Sequence, residues 1–113
     1  MAISKSSEFN DRQIRLAQLC KALGHPARIA IMEVLANTDH CMCGNIASEL
    51  PLAQSTISQH LKILKEAGLI TGKIDGISIC YDINPDVLEE LKENFGGLIT
   101  NLSQKEVDLQ DLQ

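Results

Sequence analysis

A chain of 113 residues that is 44% hydrophobic holds one small domain and is too short for two. With aromatics at 3% and no Trp, the core must be aliphatic, and no apolar run reaches the ~18 residues of a membrane-spanning helix. The net charge of −5 excludes a uniformly basic nucleic-acid binder, but residues 82–113 hold eight Asp and Glu against Lys92 and Lys105 alone, so the acidity is mostly C-terminal.

The opening residues, MAISKSSEFN, carry no apolar stretch of the kind that heads a secreted protein, so a cytoplasmic chain with reduced thiols is expected. From Asn10 to Leu23, Leu16, Leu19, Cys20 and Leu23 recur at helical spacing and predict a first amphipathic helix with Cys20 packed in its core stripe. Gly24, His25 and Pro26 interrupt it, with His25 read as a surface turn residue. Pro26 suits the first turn of a second helix, Ala27 to Ala36, packing through Ile29, Met32 and Leu35. Asn37 to Gly44 is a connection containing His40, Cys41 and Cys43, and a short third helix, Asn45 to Leu50, is closed by Pro51.

The next helix, about Gln54 to Ala67, starts behind a poor cap, Ala53. Stepping 100° per residue stacks Ile57, Leu61 and Leu64 on one stripe, which must face a core. The opposite stripe is Ser55, Gln59, Lys62 and Glu66, flanked by Thr56 and Ser58. Short or flexible hydrogen-bonding side chains on such a face can enter a DNA major groove, so Leu50 to Ile70 reads as a helix-turn-helix. Ser55, Ser58, Gln59 and Lys62 are the candidate base-edge and backbone contacts, Thr56 a phosphate contact, and His60 a structural or phosphate-contacting residue.

Leu69 to Ile74 and Ile77 to Ile83 read as two strands joined by Asp75-Gly76, a pair suited to a tight hairpin with positive φ at both central positions. Ile77, Ile79, Tyr81 and Ile83 share one face, and Ser78, Cys80 and Asp82 the other. Helices followed by such a hairpin make a mainly α winged helix-turn-helix with a small β-hairpin wing, whose one cation is Lys73. Asn84-Pro85-Asp86 caps a last helix in which Leu88, Leu91, Phe95, Leu98 and Leu102 alternate steps of three and four. That seam has no partner inside so small a domain and predicts a homodimer. The single domain, 1–113, thus divides into a core at 10–83, a dimerisation helix at 84–102 and a frayed tail at 103–113, with Gly96-Gly97 weakening the helix between.

The stretches CKALGHPARIAIMEVL, with Pro26 and Arg28, Cys41-Met42-Cys43, STISQHLKILKEAGLI and the Asp75-Gly76 wing together resemble the ArsR/SmtB family of winged-helix transcriptional repressors over nearly the whole chain. The resemblance implies a homodimer, joined through its first and last helices, that occupies operator DNA and releases it when a metal ion, metalloid or oxidant reaches its thiols. The family's site on the last helix needs His, and residues 84–113 contain none. Its Cys-x-Cys site is similar to Cys41 and Cys43, displaced by one residue from the family position, with Ile46 where a further Cys would stand.

If the segment before the third helix pairs with the second wing strand, Cys80 joins Cys41 and Cys43. Three thiolates would then suit As(III) or Sb(III), with His40 as a fourth ligand for a divalent ion such as Cd(II), and no metal would be needed for folding. Binding would move the wing and third helix together and misalign the two recognition helices. The alternative within this fold is a redox or persulfide sensor using Cys41 or Cys43 with Cys80. Outside DNA binding, the low basicity fits a protein-interaction winged helix. An enzyme is not expected, since Cys-x-x-Cys, strand-helix alternation and an acid-base cluster are all lacking.

Overall fold

The computed structural model describes residues 8–38, 42–43 and 46–111, with the side chains of residues 42, 43, 47, 75, 78 and 106–111 left aside. Helices α1 (Asp11–Leu23) and α2 (Pro26–Ala36) are followed by a two-residue strand β1 (Met42–Cys43) and a 3-10 turn (Ala47–Glu49). Helix α3 (Gln54–Glu66), strands β2 (Ile70–Asp75) and β3 (Ser78–Ile83), and a 27-residue helix α4 (Pro85–Asp111) complete the chain. The three strands form an antiparallel sheet in the order β1-β3-β2. This is the predicted winged helix-turn-helix.

Each helix start has a local cause. Asn10 and Gln13 form a reciprocal capping box at α1, the Asn10 side chain accepting from the Gln13 N–H at 2.8 Å. The His25 imidazole caps α2 by accepting from the Ala27 N–H at 3.0 Å, a specific role where a plain turn residue was expected. Asn84 caps α4 in the same way through the Asp86 N–H, whereas α3 begins at Ala53 with no side-chain cap, as its sequence predicts.

The core is aliphatic: Leu19, Ile31, Ile57, Leu64, Leu69 and Ile70 are its largest fully buried side chains. Ile57, Leu61 and Leu64 of the recognition helix face inward as predicted. Two expectations fail. Cys20 is exposed, because the buried stripe of α1 runs through Leu16, Leu19 and Ala22, and Cys20 stands about 100° round the helix from Leu19. On α2 the buried residues are Ile31 and Leu35, while Ile29 points outward.

The third helix contracts to the 3-10 turn, whose buried anchor is the preceding Ile46. The hairpin turn is shifted by one residue: Asp75 pairs with Ser78, which leaves Gly76 and Ile77 as the central positions. Gly76 has φ +65° and no non-Gly residue among those described has positive φ. A turn that needs positive φ only at its first central position accommodates the β-branched Ile77, as the predicted double-positive turn would not.

Helix α4 continues through Gly96-Gly97 to Asp111. Val87 and Leu91 pack on the core, but Leu88, Phe95, Ile99 and Leu102 remain exposed along one side of it. A groove of about 570 Å³ runs beside Pro85, Leu88, Lys92 and Phe95. No helix among the described residues is long and apolar enough to cross a membrane.

Candidate nucleic-acid interface

Burying Ile57, Leu61 and Leu64 forces the other side of α3 into solvent. Ser55, Ser58, Gln59 and Lys62 are all exposed there, and Thr56 is half-buried at its edge. Glu66 is exposed as well, at the far end from Ser55. The exposed groups offer hydroxyls, an amide and an ammonium along one helix face, the chemistry that reads base edges and grips phosphate.

The recognition helix is fixed at its C-terminus. The Gly68 N–H donates to the Lys65 carbonyl and the Leu69 N–H to the Leu64 carbonyl, the paired bonds of a Schellman ending, with Gly68 at φ +87° and Leu69 fully buried. Arg15 of α1 reinforces this end: its Nη1 donates to the Ala67 carbonyl at 3.1 Å. The same guanidinium grips Glu90 of α4 through Nε and Nη2, at 2.9 and 3.3 Å. One side chain therefore ties the end of the recognition helix to the first and last helices. Sequence periodicity gave no sign of this, since the partners lie 52 and 75 residues away.

The wing approaches α3 closely where Gly72 faces Lys65. A Cβ at Gly72 would stand 3.2 Å from the Lys65 Nζ, so glycine leaves room for the lysine to lie across β2. Lys73 is exposed on the same strand. Its register partner is Cys80, whose partner on the other side is Cys43, so Cys43, Cys80 and Lys73 occupy one row across the sheet. Directly opposed residues point to the same face with Cβ atoms about 5 Å apart.

The expected pairing of the pre-third-helix segment with the second wing strand is therefore present. Cys80 is 8% exposed and is engaged in a disulfide, and Cys20 carries the free thiol among the described cysteines. Cys41 and His40 lie outside the described residues, as does the Cys43 side chain. No cluster of three or more His, Cys, Asp or Glu suited to a metal is found among the described residues. Of the side chains described in this row, Cys80 alone is a soft donor, and its sulfur must be reduced before it can hold a soft ion.

Behind α3, on the side facing α2, Arg28 reaches His60 at 3.1 Å, and the rings of His60 and His25 stand 4.6 Å apart. Burial first, then electrostatic interaction with His25 and with Arg28, hold the His60 pKa below the ordinary histidine value of 6.5.

Residues 25–71 match the family described as bacterial regulatory protein, arsR family. The chain is 36% identical over 98 residues to an uncharacterized HTH-type transcriptional regulator of Mycobacterium tuberculosis, covering 86% of each protein. It is 28% identical over 86 residues to the arsenical resistance operon repressor of Staphylococcus xylosus, covering 76% of this chain and 82% of that one. A crystal structure described as a possible transcriptional regulator for arsenical resistance superimposes with a TM-score of 0.66 at 32% identity, over 80% of this chain and 94% of its own.

Proposed function

The chain belongs to the ArsR/SmtB family of transcriptional repressors, and from that premise we propose a homodimeric repressor whose hold on operator DNA is controlled by the thiols beside its wing. Ser55, Ser58, Gln59 and Lys62 of α3 meet the major groove, Thr56 a phosphate, and Lys73 of the wing the adjacent backbone. The exposed seam of Leu88, Phe95, Ile99 and Leu102 supports a second copy of the chain as the partner. A soft metal(loid), As(III) before Sb(III) or Cd(II), is the inducer, held by Cys41, Cys43 and Cys80 with His40 as a further ligand for a divalent ion.

The observation that carries this reading is the register that sets Cys43 opposite Cys80 and Cys80 opposite Lys73. A ligand drawing the first two together acts on β3, the strand paired with β2 and its cation Lys73, so capture and DNA contact share a row of the sheet. When bound, the metalloid supplies bonds to sulfur, and the chain's own contribution is to align the sulfurs and transmit their displacement to β2 and α3.

A second reading has its own observation. The disulfide at Cys80 favours a repressor switched by oxidant or persulfide, in which Cys80 pairs with Cys43 or Cys41. Both inducers need the same sulfur, and an oxidised Cys80 has no thiolate to offer a metalloid.

A mobility-shift titration on the DNA upstream of the gene separates the readings. Reduced protein should bind and be released by arsenite, with the response kept in Cys20→Ser and lost in Cys41→Ser and Cys80→Ser. Arsenite response retained in Cys80→Ser would overturn the three-thiol site, and release by peroxide or persulfide alone would move the assignment to the redox reading. No shift even at low salt would leave a winged helix that binds protein instead of DNA.

A further inference from the structure

The side of the recognition helix turned away from its polar stripe holds an unusual arrangement of nitrogen donors and acceptors. Arg28 Nη1 lies 3.1 Å from His60 Nδ1. A guanidinium has only N–H donors, so Nδ1 of His60 must present its lone pair and the ring's proton must sit on Nε2. His25 repeats the pattern, its Nδ1 accepting from the Ala27 N–H, which is again a donor with no acceptor capacity. Both imidazoles are thus used as neutral acceptors through the same ring atom, with their rings 4.6 Å apart.

Arg28 is itself held from behind. Its Nε donates to the Ala22 carbonyl at 2.5 Å and its Nη2 reaches the Lys21 carbonyl at 3.5 Å, both at the C-terminal end of α1. The guanidinium therefore bridges the end of α1 to the middle of α3. The C-terminal end of α3 is fixed by Arg15, so this bond opposes rotation of the helix about that anchor.

We propose that Arg28 and His60 are positioning residues for DNA recognition, and that neutral His60 is the state in which the recognition helix is seated to bind. The inference rests on the DNA-binding reading and deepens it. A proton on His60 Nδ1 removes the acceptor from Arg28 and places a cation against a permanent one. The groups that bear on His60 are His25, from the turn before α2, and Arg28, from α2 itself, and both disfavour a proton on it.

The direction follows from linkage. A base whose folded pKa lies below its unfolded value favours the folded, seated form above pH 6.5, and that contribution is lost as pH falls below 6.5 through the folded value. Simple electrostatics predicts the opposite for DNA, since a protonated histidine adds positive charge and should tighten phosphate binding. The sign of the pH effect therefore discriminates.

The test uses the full-length protein with two readouts. In imidazole ¹⁵N NMR, His60 should show an unprotonated Nδ1 at neutral pH and titrate below 6.5, and Arg28→Met should raise its midpoint. In fluorescence anisotropy on a duplex of the gene's upstream DNA, affinity should fall about fivefold to tenfold from about pH 7.5 to about pH 5.5. In His60→Asn, whose amide oxygen is attached to Cγ as Nδ1 is and accepts from Arg28 without titrating, the change should stay within about twofold. A proton on Nδ1 at neutral pH, a midpoint at or above the ordinary value, or an equal loss of affinity in His60→Asn would overturn the proposal. If no DNA binds at any pH the repressor reading falls, and the NMR titration alone decides whether Arg28 seats His60.

Discussion

Leu64 and Gln59 sit five residues apart on one helix and separate folding from recognition. Leu64 has no exposed surface, so Leu64→Ala removes packing that nothing nearby can replace, and chemical denaturation should show a loss of about 2–5 kcal/mol. Gln59 is exposed, and Gln59→Ala should leave stability within about 0.5 kcal/mol. Its effect should appear instead in operator affinity, with a loss of roughly 1–3 kcal/mol if the amide reads a base. A substantial fall in melting temperature for Gln59→Ala would place that side chain in the fold instead of at the interface. Cysteine behaves differently at this scale, because its size and polarity suit both core and surface. The apolar stripe alone assigned Cys20 to the interior, and the position of Leu19 and Ala22 moves it outside.

Between elements, the single guanidinium of Arg15 joins α1 to the end of α3 and to α4. Arg15→Met keeps much of the aliphatic stem but loses the Ala67 carbonyl bond and the bidentate grip on Glu90. The ion pair is about a third exposed, so solvent screening limits the expected cost to about 1 kcal/mol, measurable by urea unfolding. What the sequence made legible at this scale was the inward face of α3 and the wing, which periodicity encodes, and the pairing of the Cys43 strand with the Cys80 strand, which followed from the winged-helix arrangement. What it hid was of two kinds. Turn geometry depends on φ at individual residues, so Gly76-Ile77 replaced Asp75-Gly76, and a three-residue turn replaced a short helix. Long-range polar contacts such as Arg15–Glu90 and Arg28–His60 leave no local trace, because any solvent-facing arginine presents the same pattern.

For the whole molecule, the unpartnered side of α4 predicts an obligate partner. Replacing an apolar seam residue by a carboxylate, Phe95→Glu, would bury a charge in a symmetric contact and meet its own copy across the axis. Sedimentation should find the variant monomeric while the wild type is dimeric, and operator affinity should drop by more than tenfold because half-sites are then bound singly. A monomeric wild type would remove the dimer from the reading. Its weak net basicity outside the C-terminal third makes the dimer matter more: with few phosphate-neutralising groups per subunit, two reading heads must act together, and binding should weaken as salt rises.

The Arg15 junction bears on how such a regulator could diverge. Because the guanidinium clasps both the foot of the reading helix and the helix of the subunit seam, a change in how two copies cross would swing both reading heads without altering any group that touches a base. Spacing between operator half-sites would then be inherited from the seam, while the sequence within each half-site would be inherited from α3. Two descendants of this chain could come to ignore each other's operators while keeping identical reading surfaces.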